Sequence, residues 1–192
     1  NAFKNKNGQY IANVSFDDIY ALFEFDKNLK NIILKYCLEI ETIIKSIMAN
    51  QISRVYGIQI LTFGVASSYY GLLKQSDRQA IAKYFKISDK LLKQILKNLT
   101  TIRNITAHSD RLYNYTSKFY LSFKLIDENY VKSDNITNLY MVIRCMEKLL
   151  TKEQYEELYN AICEEVIKLG EKLKSIDVSE ITKIIGFPMN KN

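Results

Sequence analysis

Proline and histidine each occur once in the 192 residues, glycine six times and cysteine three times. So few prolines and glycines leave little punctuation for a fold of many strands and tight turns. The cysteines, Cys37, Cys145 and Cys163, are odd in number, widely spaced and set in apolar helical patterns, with no C-x-x-C among them. That argues against a disulfide framework and reads as buried thiols in a reducing cytosol. With a single histidine, the sequence also offers no ligand set for a protein-built zinc site, and no metal or cofactor is expected. No apolar run approaches the ~18 residues that span a bilayer, and no signal-peptide pattern opens the chain. A cytoplasmic protein without membrane association is expected. The first residue is Asn1 rather than methionine, which reads as an incomplete N-terminus.

What the sequence does contain is helical periodicity. Apolar residues make up 47% and charged residues 25%, as in an ordinary globular protein, and the length fits one domain over residues 1–192. Ser15 and Asp18 form a capping-box pattern. From there Leu29, Ile33, Tyr36, Ile40, Ile43 and Ile47 recur at steps of four and three, a heptad-like stripe for helix packing. The pattern leaves open whether 16–55 is one helix or breaks near Asp26. Residues 58–74 are apolar nearly all round and predict a central helix. Ser76 with Gln79 predicts a short helix to Phe85, and Ser88 caps one running to about His108. Residues 109–134 read as irregular. Helices resume at about 136–150, at Thr151 with Gln154 as cap, and at Ser179, stopping at Gly186 and Pro188. The fold class is all-α, a bundle of long antiparallel helices.

The charge is unevenly placed. The net charge is +6. Residues 74–103 hold eight cations against two carboxylates, an excess equal to the whole net charge. Residues 151–174 run the other way, with six glutamates against four lysines. A lysine stripe alone fits a solvated helix face first, and one that leads into the Arg/His motif also suits a polyanionic partner. At about 100° per residue, Ile95, Leu99 and Ile102 centre the buried face of the helix ending at His108. Lys90, Lys93, Lys97, Asn104 and His108 share the opposite face. Lys83 and Lys86 precede them and extend the candidate RNA-binding set.

The stripe leads into Arg103-Asn104-Ile105-Thr106-Ala107-His108. Imidazole suits proton transfer near neutral pH, and guanidinium suits a phosphate. Together on a basic surface they point to cleavage of an RNA phosphodiester. The alternative is an arginine held in a structural ion pair and a helix-terminal histidine. Arg103 falls at the margin of the apolar face, where it needs a partner. Glu41 is the first candidate carboxylate and Asp26 the second.

Several pieces in order carry a family resemblance: Phe25-Asp26-Lys27-Asn28-Leu29-Lys30, Ile40-Glu41, Leu61-Thr62-Phe63-Gly64, the segment from Arg103 through His108-Ser109-Asp110-Arg111-Leu112-Tyr113-Asn114, and Ile184-Ile185-Gly186-Phe187-Pro188. Over roughly residues 15–188 the chain resembles abortive-infection (Abi) proteins of the AbiD/AbiF type, anti-phage proteins of the HEPN superfamily. The resemblance implies a HEPN-like helical bundle and a metal-independent endoribonuclease whose site forms between two copies. It implies Arg103 and His108 as the catalytic pair, with Asn104 as the polar position after the arginine. Asp110, Arg111 and Asn114 become a flanking patch supporting the site or touching RNA. RNA, a second copy of the chain, and an antitoxin or small noncoding RNA are the implied partners. Relatives carry further sequence before the Phe-Asp region and between Gly57 and Ile58. One histidine per chain gives a two-histidine acid–base scheme only in a homodimer. A catalytically weak module that binds a regulatory RNA or partner protein is the alternative.

Overall fold

The computed structural model describes residues 2–4, 7–52, 57–108, 110–122, 126 and 136–188. Its first long element, α1 (Phe16–Gln51), is one unbroken helix of 36 residues. Ser15 and Asp18 make the expected capping box: the Ser15 hydroxyl accepts from the Asp18 N–H at 3.1 Å, and the Asp18 carboxylate accepts from the Ser15 N–H at 3.0 Å. The buried stripe runs Leu29, Ile33, Tyr36, Cys37, Ile40, Ile44 and Met48. The stripe follows the 3.6-residue turn of the helix and not a strict 3.5-residue repeat, so the heptad reading drifts: Ile43 and Ile47 are only half-buried, and Ile44 and Met48 take the core positions.

A single 3-10 turn (Ile58–Ile60) leads into α2 (Phe63–Leu72), α3 (Gln75–Lys83) and α4 (Asp89–Ala107). Segment 58–74 is shorter and less central than its apolarity suggests. Phe63, Ala66 and Tyr70 are buried, but Ile60 and Leu72 stand in solvent at 87% and 83% exposure. The cap expected at Ser76 does not form; the first turn begins after Lys74, which makes no side-chain cap. Arg78 ties this corner together instead, donating to Leu73 O at 2.6 Å and to the Asp89 carboxylate at 3.2 Å. Ser88 caps α4 as expected, accepting from the Leu91 N–H at 3.2 Å.

The strands β1 (Thr116–Ser117) and β2 (Thr137–Asn138) pair antiparallel and form the only sheet among the described residues. Then come α5 (Leu139–Met146), α6 (Lys152–Lys172) and α7 (Val178–Ile185). Thr151 and Gln154 form the second capping box. Asp177, not Ser179, caps α7, accepting from the Ser179 N–H at 2.8 Å. Gly186, at φ +99°, closes that helix in the left-handed region. Most of 123–135, expected to be irregular, lies outside the described residues. The protein is an all-α helical bundle. Among the described residues, no helix is long and apolar enough to cross a membrane.

α1 is the spine. Glu24–Lys172, Asn28–Glu165, Tyr36–Glu157 and Glu39–Gln154 link it to α6, and the falling partner numbers make the pair antiparallel. Polar contacts at or near the surface such as these are worth about 1 kcal/mol each, so they set register, while the buried stripe supplies the stability. Cys37 and Cys145 are buried as expected, but Cys163 is only half-buried. Native protein at neutral pH should therefore be alkylated by iodoacetamide at Cys163 and spared at Cys37 and Cys145. Peptide mass mapping checks this.

Asp18 fastens the far end of the bundle. Its side chain is 1% exposed and accepts from the Ser15 N–H and hydroxyl and from the Lys174 and Ser175 N–H groups, joining the end of α6 to the start of α1. Burial raises the carboxyl, but these donors outweigh it and hold it far below the usual carboxylate range. A depressed folded-state value gives stability that is present above the unfolded value near 3.9 and is lost as pH falls through the lower folded one. Asp18→Asn should thus destabilise the protein at pH 7 and flatten the fall of melting temperature below about pH 4. Equal slopes for the two proteins would remove Asp18 from the acid transition.

Candidate functional site

The motif sits where α4 ends. Helical geometry stops at Ala107, and His108 is the C-cap, extended at φ −118° and ψ 178°. Its N–H still reaches Ile105 O at 3.2 Å, and the Thr106 hydroxyl takes Arg103 O at 2.7 Å, so two carbonyls of the last turn are satisfied. Asn104 and His108 are exposed. Arg103 is half-buried, at the margin of the apolar face, as the wheel placed it.

The segment after His108 is stapled to α1. Asp26, 6% exposed, accepts from the backbone N–H groups of Leu112 at 2.9 Å and Tyr113 at 2.8 Å through one oxygen. Lys30, one helical turn along, lies 3.6 Å from the other oxygen and also donates to Asp110 O at 3.2 Å. Leu112 and Tyr113 are buried beneath this clamp, while Asp110, Arg111 and Asn114 are exposed beside the motif. Arg111 faces a cleft of about 170 Å3 shared with Phe23, Asp26 and Tyr113.

The partner expected for Arg103 is not there. Among the described residues Arg103 makes no ion pair, and its buried Nε has no hydrogen-bond partner. Glu41, the first candidate, is paired to Lys45 at 2.6 Å through Oε1, and its buried Oε2 has no hydrogen-bond partner. Asp26, the second candidate, is taken by Lys30 and the two backbone donors. Both carboxylates choose a lysine four residues on in the same helix, a pairing that needs no tertiary alignment. The charges of Arg103 on α4 and Glu41 on α1 nonetheless both reach the Cys37 thiol. Burial pushes that thiol up to about 12, with Arg103 favouring the thiolate and Glu41 opposing it.

The five lysines are all exposed. Lys83 ends α3, Lys86 lies in the turn before α4 at φ +54°, and Lys90, Lys93 and Lys97 run along α4. From Lys90 to His108 the stripe spans ~27 Å at 1.5 Å per residue. Two participants were not legible beforehand. Lys30 gave no signal beyond its place within Phe25–Lys30. Phe119 sits in a segment with no periodicity, yet the Lys97 ammonium lies 4.0 Å from its ring centroid. Among the described residues, no group of three or more His, Cys, Asp and Glu side chains is placed to hold a metal ion.

The clamp makes a testable demand. Asp26→Ala leaves two buried N–H groups without their charged acceptor and should cost about 2–4 kcal/mol of stability. Amide exchange at Leu112 and Tyr113 should accelerate more than elsewhere. Unchanged protection of those two amides would show that Asp26 does not hold the loop.

Comparison with known proteins adds the family. A family profile described as Abi-like protein matches residues 1–59 and 55–114, more than half of the chain. The two matched pieces meet around Gly57 and Ile58; residues 53–56 lie outside those described structurally. The matched residues include Asp26, Glu41, Arg103, His108 and Asn114, but not Phe119. No curated protein and no solved structure matches the chain. This match, over more than half of its length, places the chain in the Abi-like protein family.

Proposed function

We propose that this protein is a metal-independent endoribonuclease of the HEPN type, acting in the cytoplasm as an anti-phage abortive-infection or toxin effector. The observation that carries the reading is the presentation of Arg103, Asn104 and His108. The imidazole stands in solvent just past the last turn of α4, with Asn104 one turn before it. Arg103 is half-buried and makes no ion pair among the described residues, so no carboxylate there claims its charge. The loop that follows is fixed to α1 by Asp26 and Lys30. A lysine stripe on the same helix leads to the motif.

RNA carries its own nucleophile, the 2′-hydroxyl, so the reaction needs a base, an acid and a cation. His108 takes the 2′-hydroxyl proton, and the oxygen attacks phosphorus. His108 of a second copy protonates the departing 5′-oxygen. Arg103 neutralises the charge that builds on the phosphorane. The site is therefore complete only in a homodimer. Membership of the Abi-like family supports the abortive-infection role. An antitoxin or small noncoding RNA that holds the activity in check is the partner such a role requires.

A second reading, RNA binding without cleavage, has one observation in its favour. Among the described residues no side chain hydrogen-bonds to the His108 ring to fix its tautomer, as an efficient base requires.

Incubation with total bacterial RNA separates the two. Wild type should cleave in the presence of EDTA, and Arg103→Ala and His108→Ala should each lose at least a hundredfold in rate while remaining folded. Activity should fall steeply with salt, and reversing Lys93 and Lys97 to glutamate should weaken RNA binding and reduce that salt slope. A folded His108→Ala protein as active and as toxic as wild type would defeat the enzyme reading. Binding without cleavage by wild type would select the second.

A further inference from the structure

Lys90, Lys93 and Lys97 form one side of a groove of about 430 Å3 whose other side is Lys118, Phe119 and Tyr120. Four cations therefore border one concave surface together with two aromatic rings, and among the described residues no carboxylate lines it. The opposite wall is held in place. Gln94 accepts from the Ser122 N–H at 2.9 Å, Thr137 donates to Phe119 O at 3.0 Å, and the Phe119 N–H reaches the Ser117 hydroxyl at 3.0 Å. One turn further along α4, Asn98 accepts from the Tyr115 hydroxyl at 3.3 Å. The segment bearing Phe119 is thus tied both to α4 and to β2.

The geometry points to a binding site for one unstacked base of a single-stranded nucleic acid, with Phe119 as its stacking platform and Lys93 and Lys97 on the adjoining phosphates. The site names the substrate as single-stranded, and it rests on the RNA reading above. A flat ring beside ammonium groups is what an isolated nucleotide recognises: stacking for the base, point charges for the phosphate. A duplex keeps its bases inside the stack and would meet the lysines alone. The groove's volume lies in the range of small-ligand sites, enough for a base and its sugar. Phe119 is 36% exposed, and the Lys97 ammonium lies over one face of its ring, so a base stacking on that face displaces the ammonium toward its own phosphate.

The groove is also in register with the motif. Lys97 and His108 are eleven residues apart, three turns of helix and ~16 Å along one face. A strand seated on Phe119 can therefore run along α4 toward His108. On the far side of the lysines, Ser67 and Ser68 of α2 line a second cleft with Lys93 and Lys97, so this pair forms a ridge with clefts on both flanks.

The chain has no tryptophan, so Phe119→Trp is a unique fluorescent reporter. The probe is fluorescein-labelled 2′-O-methyl dodecauridine, which binds without offering a 2′-hydroxyl for cleavage, with a blunt RNA duplex as comparison. Wild type should bind the single strand more tightly than the duplex. Phe119→Ala should weaken single-strand binding about tenfold with the salt dependence unchanged. Phe119→Trp should restore affinity, and unlabelled strand should quench its emission. Lys93→Glu with Lys97→Glu should weaken binding and lower the salt slope. If the single strand binds while the tryptophan emission stays constant and Phe119→Ala matches wild type, the groove is not the site and the RNA reading stands. If no oligonucleotide binds any of these proteins, both fall.

Discussion

The Asp26 carboxylate is the contact on which the candidate site depends. It is buried, and it spends one oxygen on two consecutive backbone N–H groups just beyond the motif and the other on Lys30. A helix C-terminus followed by an irregular segment would otherwise leave His108 at the tip of a wandering loop. The clamp removes that freedom by attaching the loop to the longest helix in the bundle. α1 in turn is fixed by its buried stripe and by α6 along its length. The backbone that follows His108 is therefore tied to the core, through one carboxylate whose charge is compensated by a lysine and two amides.

Much of the fold was legible because its signals are local. Ser15 with Asp18 and Thr151 with Gln154 are complete capping boxes within four residues, and both form. Ser88 has the same simplicity. Where two residue types compete for one role, the pattern failed: Ser76 yielded to Lys74 as the start of α3, and Ser179 to Asp177 as the cap of α7. Apolarity misled over 58–74, since Ile60 and Leu72 are hydrophobic but, among the described residues, nothing buries them. Periodicity finds an element; it does not say whether a second element covers each face.

The site divides the same way. The lysine stripe and the exposure of Asn104 and His108 follow from 100° per residue and were readable. The partner of Arg103 was not, because it depends on how α1 and α4 meet. Sequence gave Glu41 and Asp26 as nearby carboxylates but could not show that Lys45 and Lys30 had already claimed them. Asp26 proved important for a different reason, as an acceptor for backbone, which no side-chain pairing rule announces. Phe119 stayed hidden for a third reason: its neighbour Lys97 lies 22 positions earlier, and only the folded chain brings ring and ammonium together.

The central claim is that Arg103 and His108 drive attack by the RNA's own 2′-hydroxyl. The chemistry of the ends it leaves tests this most directly. RNA cut by the wild-type protein should carry 2′,3′-cyclic phosphate on the upstream fragment and a free 5′-hydroxyl on the downstream one, read by ligation and phosphatase sensitivity. Fragments with 3′-hydroxyl and 5′-phosphate ends, or identical fragments from the His108→Ala protein, would contradict the account.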